Sequence, residues 1–282
     1  MGEALVLGGG GVGGIAWITG LLAGLAEVGH DVTDVDLIVG TSAGATVAAQ
    51  LGSGSSLADL YARQVEPELQ ADEIMVEVDL ATFGAEIGAV LGNATSVPEL
   101  RRALGRWALD AQTISEARRR KVIESRLPSL EWPARALKIV AVDAETGQPR
   151  VFDNASGVSL LDAVTASCAV PGVWPPATVD GRRYVDGGVR SGENADYAAG
   201  ASRVLVIVPL ANTGLFPAEK PLDEAVRELR AGGAEVAIVG PDEDSLAAIG
   251  SNPLDPATRE PAATAGRAQG RGLTIEWAGP TR

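Results

Sequence analysis

Ser42 lies in a sequence context that can make a serine hydroxyl reactive. A short apolar run over 37–39 ends at Gly40, and Gly44 follows Ser42 by two residues, ahead of a helix that we expect to reach Leu51. A strand, a tight G-x-S-x-G turn and a helix form the nucleophile-elbow pattern, which lifts the serine hydroxyl clear of the sheet. The start of the following helix favours negative charge beside that hydroxyl. The pattern predicts a nucleophile at Ser42, and the alternative is a glycine turn without chemistry.

A glycine-rich turn follows the first predicted strand and is expected to lie near Ser42. Residues 4–7 form a buried-strand pattern, residues 8–14 are mostly glycine, and a helix over 15–28 precedes a second strand over 35–39;. Two strands joined by one helix form a βαβ unit with parallel strands and a right-handed crossover. The glycine turn and Ser42 therefore both lie at the carboxyl edge of the sheet, where open α/β sheets build their sites.

Two chemistries suit the glycine turn. Backbone N–H groups with no side chains in front of them can hold an oxyanion, and they can equally hold a pyrophosphate. Gly9, Gly11 and Gly14 match the G-x-G-x-x-G spacing of dinucleotide sites, for which one of the aspartates in 31–36 would bind the ribose;. The second strand ends in the serine elbow rather than in an acid, which favours the oxyanion and leaves nucleotide binding as the minor alternative.

The base that activates Ser42 is not expected to be a histidine. The chain has one histidine, His30, which follows the first helix and precedes the second strand. It therefore lies at the amino edge of the sheet, and a strand of five or six residues places it roughly 15–20 Å from Ser42. A Ser-His-Asp triad within one chain is thus excluded, and His30 is expected to be a surface turn residue.

The base is then a carboxylate or a lysine. Lys138 begins a predicted strand and so lies at the wrong edge, whereas Asp143 ends that strand and is a possible partner. Asp186 fits best, because Gly187 and Gly188 follow it and allow the backbone to bring its carboxylate close to another loop;. The alternative for Asp186 is an Asx turn in a glycine-rich loop.

Composition excludes several classes of protein. In this chain of 282 residues, a hydrophobic fraction of 46% excludes a disordered chain, and a net charge of −14 argues against nucleic-acid partners and against tight docking on anionic membranes;. The single cysteine, Cys168, excludes an internal disulfide and fits a reducing compartment such as the cytoplasm;. We expect no metal, no other cofactor, no signal peptide and no transmembrane span.

The chain is expected to form one catalytic domain over 4–210, with a C-terminal strand and helices over 211–282 packed on it. Residues 57–130 are predicted to be a helical insert, in which 74–91 form either a lid over the site or plain packing. The basic run over 118–121 is interpreted as a solvated helix face, with contact to lipid phosphates as the less favoured alternative;.

The three motifs together resemble the patatin-like phospholipase family. The G-x-G-x-x-G turn at 9–14, the G-x-S-x-G elbow at 40–44 and the D-G-G at 186–188 occur in the family's order and separation, and the stretch 166–194 is also similar. The resemblance covers about 4–208. It implies an α/β fold, a three-layer α/β/α sandwich with a mainly parallel central sheet and a helical insert.

The resemblance also implies roles for particular residues. The family's Ser–Asp dyad makes Ser42 the nucleophile and Asp186 the general base. The glycine loop supplies the oxyanion hole, and the other motif glycines are structural. The implied oxyanion donors are the N–H groups of Gly9, Gly10 and Gly11, and the structural glycines are Gly14, Gly40, Gly44, Gly187 and Gly188. One departure is Gly13, where the family commonly has arginine; it leaves the rate and the head-group preference open.

The function implied is a lipid acyl hydrolase that forms an acyl-enzyme on Ser42. Its substrate would be a phospholipid, a lysophospholipid or a neutral acyl ester, with at most transient membrane contact. Two alternatives stay open, an acyltransferase of related fold and a non-catalytic binder of lipid or nucleotide. The sequence does not fix the oligomeric state.

Overall fold

The computed structural model describes residues 2–75, 80–92, 94–210 and 216–275, with only the backbone for 80–82 and 91. Parts of the predicted insert (76–79 and 93) and of the predicted C-terminal region (211–215 and 276–282) lie outside the described residues.

A single mixed sheet forms the centre of the described chain, in the order β5-β6-β3-β2-β1-β7-β8, with β4 also paired to β3. The neighbours β8, β7, β1, β2 and β3 run parallel, whereas β4, β5 and β6 are antiparallel additions. The eight strands within the described residues are β1 (Glu3–Leu7), β2 (Leu37–Thr41), β3 (Ala136–Asp143), β4 (Pro149–Phe152), β5 (Ala177–Val179), β6 (Arg182–Asp186), β7 (Arg203–Ile207) and β8 (Glu235–Val239).

Helices cover both faces of this sheet. The ten α-helices within the described residues are α1 (Gly11–Glu27), α2 (Ala43–Leu51), α3 (Leu57–Val65), α4 (Leu80–Gly92), α5 (Val97–Asp110), α6 (Glu116–Arg126), α7 (Leu160–Ser167), α8 (Leu222–Ala231), α9 (Glu243–Ile249) and α10 (Arg259–Gly272). The predicted parallel βαβ unit is confirmed as β1-α1-β2. The fold class expected from the sequence, an α/β sandwich around a mainly parallel sheet, is confirmed.

The strands bury both of their faces, as expected for a parallel sheet between helices. In β1, Leu5 and Leu7 join the core under α1, α2, α7 and α10. Ala4 and Val6 point the other way, into a core completed by α8. This alternation explains why the strands read as continuous apolar runs rather than as alternating patterns.

Two elements have boundaries that differ from the sequence-based expectation in ways that matter for the site. Helix α1 begins at Gly11 rather than near residue 15, so the turn before it is shorter than predicted. The N–H of Gly14 already donates to the carbonyl of Gly10 over 2.7 Å, which is the first helical hydrogen bond. Strand β2 begins at Leu37 and ends at Thr41, two residues later at each end than predicted. It reaches Thr41 because it pairs with β3 up to that residue.

Helix α10 packs against α1 more closely than side chains would permit. A methyl group added at Gly20 would lie 2.0 Å from the carbonyl oxygen of Ala263, and one at Gly24 would lie 2.2 Å from that of Arg267. These paired positions show that the two helices run in the same direction. The C-terminal helix is thereby held against the helix that follows the glycine turn.

Within the described residues, no helix is long and apolar enough to cross a membrane. The same residues contain no group of three or more histidine, cysteine, aspartate or glutamate side chains placed to hold a metal ion.

Candidate active site

Ser42 occupies a strained turn between β2 and α2. Its φ is 53° and its ψ is −112°, a backbone conformation that residues with side chains rarely adopt;. The turn is possible because its flanks lack side chains. A methyl group at Gly40 would lie 2.6 Å from Cα of Ala45, and one at Gly44 would lie 1.9 Å from the carbonyl oxygen of Leu7. Backbone strain of this kind is typical of functional sites.

Strand β3 brings Asp186 to the same place. Thr41, the residue before Ser42, pairs with Val140, and Asp186 pairs with the next residue of β3, Ala141. The carboxyl end of β2 and the end of β6 are therefore one residue apart along a shared strand. Ser42 and Asp186 also line the same cavity.

The carboxyl group of Asp186 is buried and only half satisfied. Its Oδ1 accepts a hydrogen bond from the N–H of Gly188 over 2.7 Å, whereas Oδ2 is buried without a hydrogen-bond partner. Burial raises the pKa of Asp186 to about 6, although the nearby Ser42 hydroxyl and the Gly188 N–H oppose that rise. Ser42 thus lies near enough to affect the carboxyl group but has no aligned hydrogen bond to it. This arrangement leaves Oδ2 able to accept a proton.

The glycine turn offers N–H groups beside Ser42, but fewer than the resemblance implies. The N–H of Gly9 donates to the carbonyl of Gly192 over 2.9 Å, so it is already engaged. The N–H groups of Gly10 and Gly11 have no acceptor among the described residues. Both glycines line the cavity that contains Ser42. The free donors of the turn are therefore Gly10 and Gly11, at the N-terminus of α1.

Two residues at the end of α7 support the elbow from behind. Ser167 Oγ accepts the N–H of Ser42 over 2.9 Å and donates to the carbonyl of Val140 over 2.6 Å. The thiol of Cys168 donates to the carbonyl of Ser42 over 3.2 Å. Both backbone groups of Ser42 are thus held by α7.

Asn194 connects the loop after Asp186 to β2. Its Nδ2 donates to Oγ1 of Thr41 over 3.0 Å and to the carbonyl of Gly187 over 3.2 Å. These acceptors are the neighbours in sequence of Ser42 and Asp186. The fully buried Asn194 amide therefore fixes the distance between the two candidate catalytic residues.

The cavity around Ser42 is apolar and has a volume of about 120 Å³. Ser42, Asp186 and the glycines 9–11 line its base. Its apolar walls are Phe83 of α4, Val170, Leu210, Phe216 and Leu254. An acyl chain is the kind of group that such walls suit.

Other candidates from the sequence lie away from this cavity. His30 is exposed and lies beside a surface cleft at the start of β1, at the amino edge as predicted. Lys138 donates to the carbonyl of Tyr197 over 2.8 Å. Asp143 accepts the N–H groups of its own turn, at 2.8 Å from Thr146, and so stabilises that turn. None of these three side chains lines the cavity that contains Ser42 and Asp186.

A comparison with models of protein families identifies the family of the chain. A family model described as "Patatin-like phospholipase" matches residues 5–199. The chain belongs to the patatin-like phospholipase family. This is a family of lipid acyl hydrolases, and the resemblance inferred from the three motifs is confirmed.

Two solved structures are similar to the chain at low identity. One is VipD from Legionella pneumophila, at a TM-score of 0.46 and 15% identity, over 95% of this chain and 66% of that chain. The other is the type III effector protein ExoU, at a TM-score of 0.35 and 17% identity, over 98% of this chain and 54% of that chain. The chain therefore spans less than two thirds of the length of either protein.

One wall of the cavity lies outside the region that the family model matches. Residues 251–254, between α9 and α10, line the cavity and lie beyond the matched region. The carbonyl of Pro253 accepts the N–H of Gly13 over 2.9 Å. A methyl group at Gly13 would already lie 3.0 Å from Oγ1 of Thr258. The departure from the patatin-like arginine thus coincides with a C-terminal segment packed against that position.

The interpretation of 118–121 as a solvated helix face is wrong for one residue. Arg118 and Lys121 are exposed, but Arg119 is only 4% exposed. Arg119, Val122, Ile123 and Arg126 form the buried face of α6 at helical spacing. That spacing is the sequence signal that could have distinguished Arg119 from its neighbours.

Proposed function

We propose that this protein hydrolyses carboxylic esters of lipids through an acyl-enzyme on Ser42, with Asp186 as general base. The observation that carries the proposal is the pairing of a strained serine elbow with a buried carboxyl group whose Oδ2 has no hydrogen-bond partner. A raised carboxyl pKa suits a group that must accept and return a proton near neutral pH.

The first half-reaction forms the acyl-enzyme. Oγ of Ser42 attacks the ester carbonyl carbon while its proton passes to Oδ2 of Asp186. The N–H groups of Gly10 and Gly11 supply hydrogen bonds to the oxyanion. When the tetrahedral intermediate collapses, the carbon–oxygen bond to the alcohol breaks, and the alcohol takes the proton from Asp186.

The second half-reaction releases the fatty acid. Asp186, ionised again, takes a proton from water as the water oxygen attacks the acyl carbonyl. Collapse of this second intermediate breaks the bond to Oγ of Ser42, which recovers the proton. The N–H of Gly188 holds Oδ1 throughout, which leaves Oδ2 to accept and return the proton.

The cavity suggests how much of the lipid is enclosed. At about 120 Å³ it is smaller than the pockets of about 300–1,000 Å³ that enclose drug-sized ligands;. Its walls are apolar, so we propose that the described cavity holds part of one acyl chain next to the ester. Of the alcohol part of the lipid, only the groups nearest the ester would then lie inside it.

A fluorophosphonate probe tests the dyad directly, because it reacts only with an activated serine. Intact-mass analysis should show one adduct on the wild type and none on Ser42→Ala, with greatly slowed labelling of Asp186→Asn. Ser125→Ala, which removes a serine hydroxyl that bonds only to a carbonyl of its own helix, is the control and should be labelled. Equal labelling of Ser42→Ala, or a folded wild type that neither labels nor hydrolyses acyl esters, would refute the proposal.

A further inference from the structure

Arg119 is a buried cation that forms no ion pair among the described residues. The guanidinium lies 3.7 Å from the centre of the Trp174 ring, on which it stacks. Its Nε and Nη1 atoms are buried without a hydrogen-bond partner among the described residues, and no carboxylate of those residues forms an ion pair with it. The nearby carboxylates of Glu73 and Asp186 favour its charge but form no ion pair with it. A buried charge without a directly paired counter-ion is costly, so it is expected where a ligand supplies that counter-ion.

The neighbouring arginines differ from Arg119 in this respect. Arg126 and Arg259 both pair with the buried carboxylate of Glu73, over 2.8 and 2.5 Å. Arg119, Arg126 and Arg259 are thus three buried arginines near the site. In the described part of the chain, the buried carboxylates beside them are two, those of Glu73 and Asp186. Burial and the charge of Arg126 lower the pKa of Arg119 to about 9, which still leaves it charged at neutral pH. In a chain of net charge −14, this is a local excess of positive charge.

Arg119 lines a small recess together with the starts of two helices. Gly11 and Val12 at the N-terminus of α1, and Ser42 and Ala43 at that of α2, line the same recess. Helix N-termini favour anions because their first N–H groups lack acceptors and their dipoles are positive there. The guanidinium of Arg119 adds a full positive charge to the partial positive charges at the N-termini of α1 and α2.

The recess opens onto the main cavity. Both are lined by Gly11, Ser42, Val170 and Leu254. The recess has a volume of about 10 Å³, which is about the least that can hold a single water or oxygen atom;. It can therefore receive one oxygen of an anionic group whose remaining atoms stay in the cavity beside Ser42.

We infer that Arg119 and the two helix N-termini form an anion subsite, which selects acyl esters carrying a phosphate or carboxylate group near the scissile bond. This inference rests on the proposed function for its substrate, but the subsite itself can be tested by binding alone. At the position of Gly13 the family commonly has an arginine, which this chain lacks. Arg119, from the distant helix α6, would supply a fixed positive charge instead. The guanidinium would bind the anionic oxygen, and Trp174 would hold the guanidinium in place.

Esters that differ only in charge test the selectivity. We would compare 1-acylglycerol, 1-acylglycerol 3-phosphate and the monoacyl ester of a hydroxy acid, all with the same acyl chain. In Arg119→Met, the ratio of kcat/KM for the phosphate ester to that for the neutral ester should fall about 10–100-fold, through KM. For Arg119→Lys this ratio should lie between those of the wild type and Arg119→Met, because an ammonium group keeps the charge but not the planar geometry of the guanidinium. The carboxylate ester shows which anion the subsite prefers.

Matched variants separate selectivity from general damage. Arg118→Met removes an exposed arginine from the adjacent position and should leave the ratio unchanged. Arg119→Met removes an unpaired buried charge, so its Tm should stay at or above that of the wild type. If kcat/KM falls equally for the neutral and anionic esters, or if the wild type shows no preference for the anionic esters, the inference is wrong.

A binding experiment distinguishes failure of the subsite from failure of the proposed hydrolysis. Calorimetry on Ser42→Ala with octyl phosphate, octanol and inorganic phosphate needs no turnover. We expect octyl phosphate to bind, octanol to bind at least about 10-fold more weakly, and the difference to vanish in Ser42→Ala/Arg119→Met. Binding of inorganic phosphate alone would indicate a free-anion site rather than a substrate subsite. Equal affinities for octyl phosphate and octanol would overturn the inference, whatever the wild type hydrolyses.

Discussion

The backbone N–H of Ser42 donates to the hydroxyl oxygen of Ser167 over 2.9 Å, so the two serines meet at the elbow. Ser167 donates in turn to the carbonyl of Val140 in β3 over 2.6 Å. One hydroxyl group thus joins the elbow, the end of α7 and the central sheet. The same contact means that the N–H of Ser42 is occupied, which leaves the glycine turn as the source of oxyanion donors.

Ser167→Ala should therefore damage the elbow. The change leaves a buried N–H and a buried carbonyl without this partner, so the free energy of unfolding should fall by about 1–3 kcal/mol. Fluorophosphonate labelling of Ser42 should slow at the same time, because the elbow is no longer held. Urea unfolding and labelling kinetics measure the two effects. Ser125→Ala, whose hydroxyl bonds only to a carbonyl of its own helix, is the control, and equal effects of both variants would contradict this role.

The activity should rise with pH and level off above about pH 7. Only the ionised carboxylate of Asp186 can accept the proton of Ser42, and burial raises the pKa of Asp186 to about 6;. A plot of kcat/KM against pH should therefore show one protonation near pH 6, with a tenfold fall per unit well below it. Circular dichroism at each pH checks that the protein stays folded. A midpoint near 4 would mean that Asp186 is not desolvated in the working enzyme.

The buried charge of Asp186 should cost stability at neutral pH. Because its pKa is about 6 in the folded protein and about 3.9 in the unfolded chain, the folded state binds more protons between these values, and stability falls as pH rises through them;. Asp186→Asn removes a penalty of about 3 kcal/mol above pH 7. The variant should unfold at higher urea concentration than the wild type at pH 7.5, and the difference should shrink towards pH 4.5. A less stable variant at pH 7.5 would show that the carboxylate is well solvated.

The sequence predicted the parts of the site that depend on local chain geometry. The glycines flanking Ser42 are required by close backbone contacts, so their spacing is visible in the sequence. The position of His30 followed from the βαβ topology alone. Asp186 could be ranked above Asp143, but nothing in the sequence shows that Asp143 is taken up by its own turn.

The remaining parts of the site depend on contacts between distant segments. The engagement of the Gly9 N–H by Gly192, and the packing of Pro253 against Gly13, join residues that no local pattern relates. Arg119 was hidden in a basic run that looks solvated when only composition is considered. The division of the chain at residue 210 stays a prediction, although α10 packs against α1.

Substitution of Gly20 tests how firmly the C-terminal helix is part of the folded unit. A methyl group there would lie 2.0 Å from the carbonyl oxygen of Ala263 in α10, and neither backbone can yield cheaply. Gly20→Ala should therefore lower the free energy of unfolding by about 1–3 kcal/mol or more, within a single cooperative transition.

Gly84 in α4 provides the matched control for this change. It is a helical glycine with no other atom within 4 Å of an added methyl group, so Gly84→Ala should stabilise the protein by about 0.5–1 kcal/mol;. The two glycine-to-alanine changes thus have opposite expected signs, because one position is enclosed by α10 and the other is open. If Gly20→Ala were as stable as the wild type, or unfolded in two separate transitions, α10 would be a separable appendage, and the wall of the cavity at 251–254 would not be fixed by it.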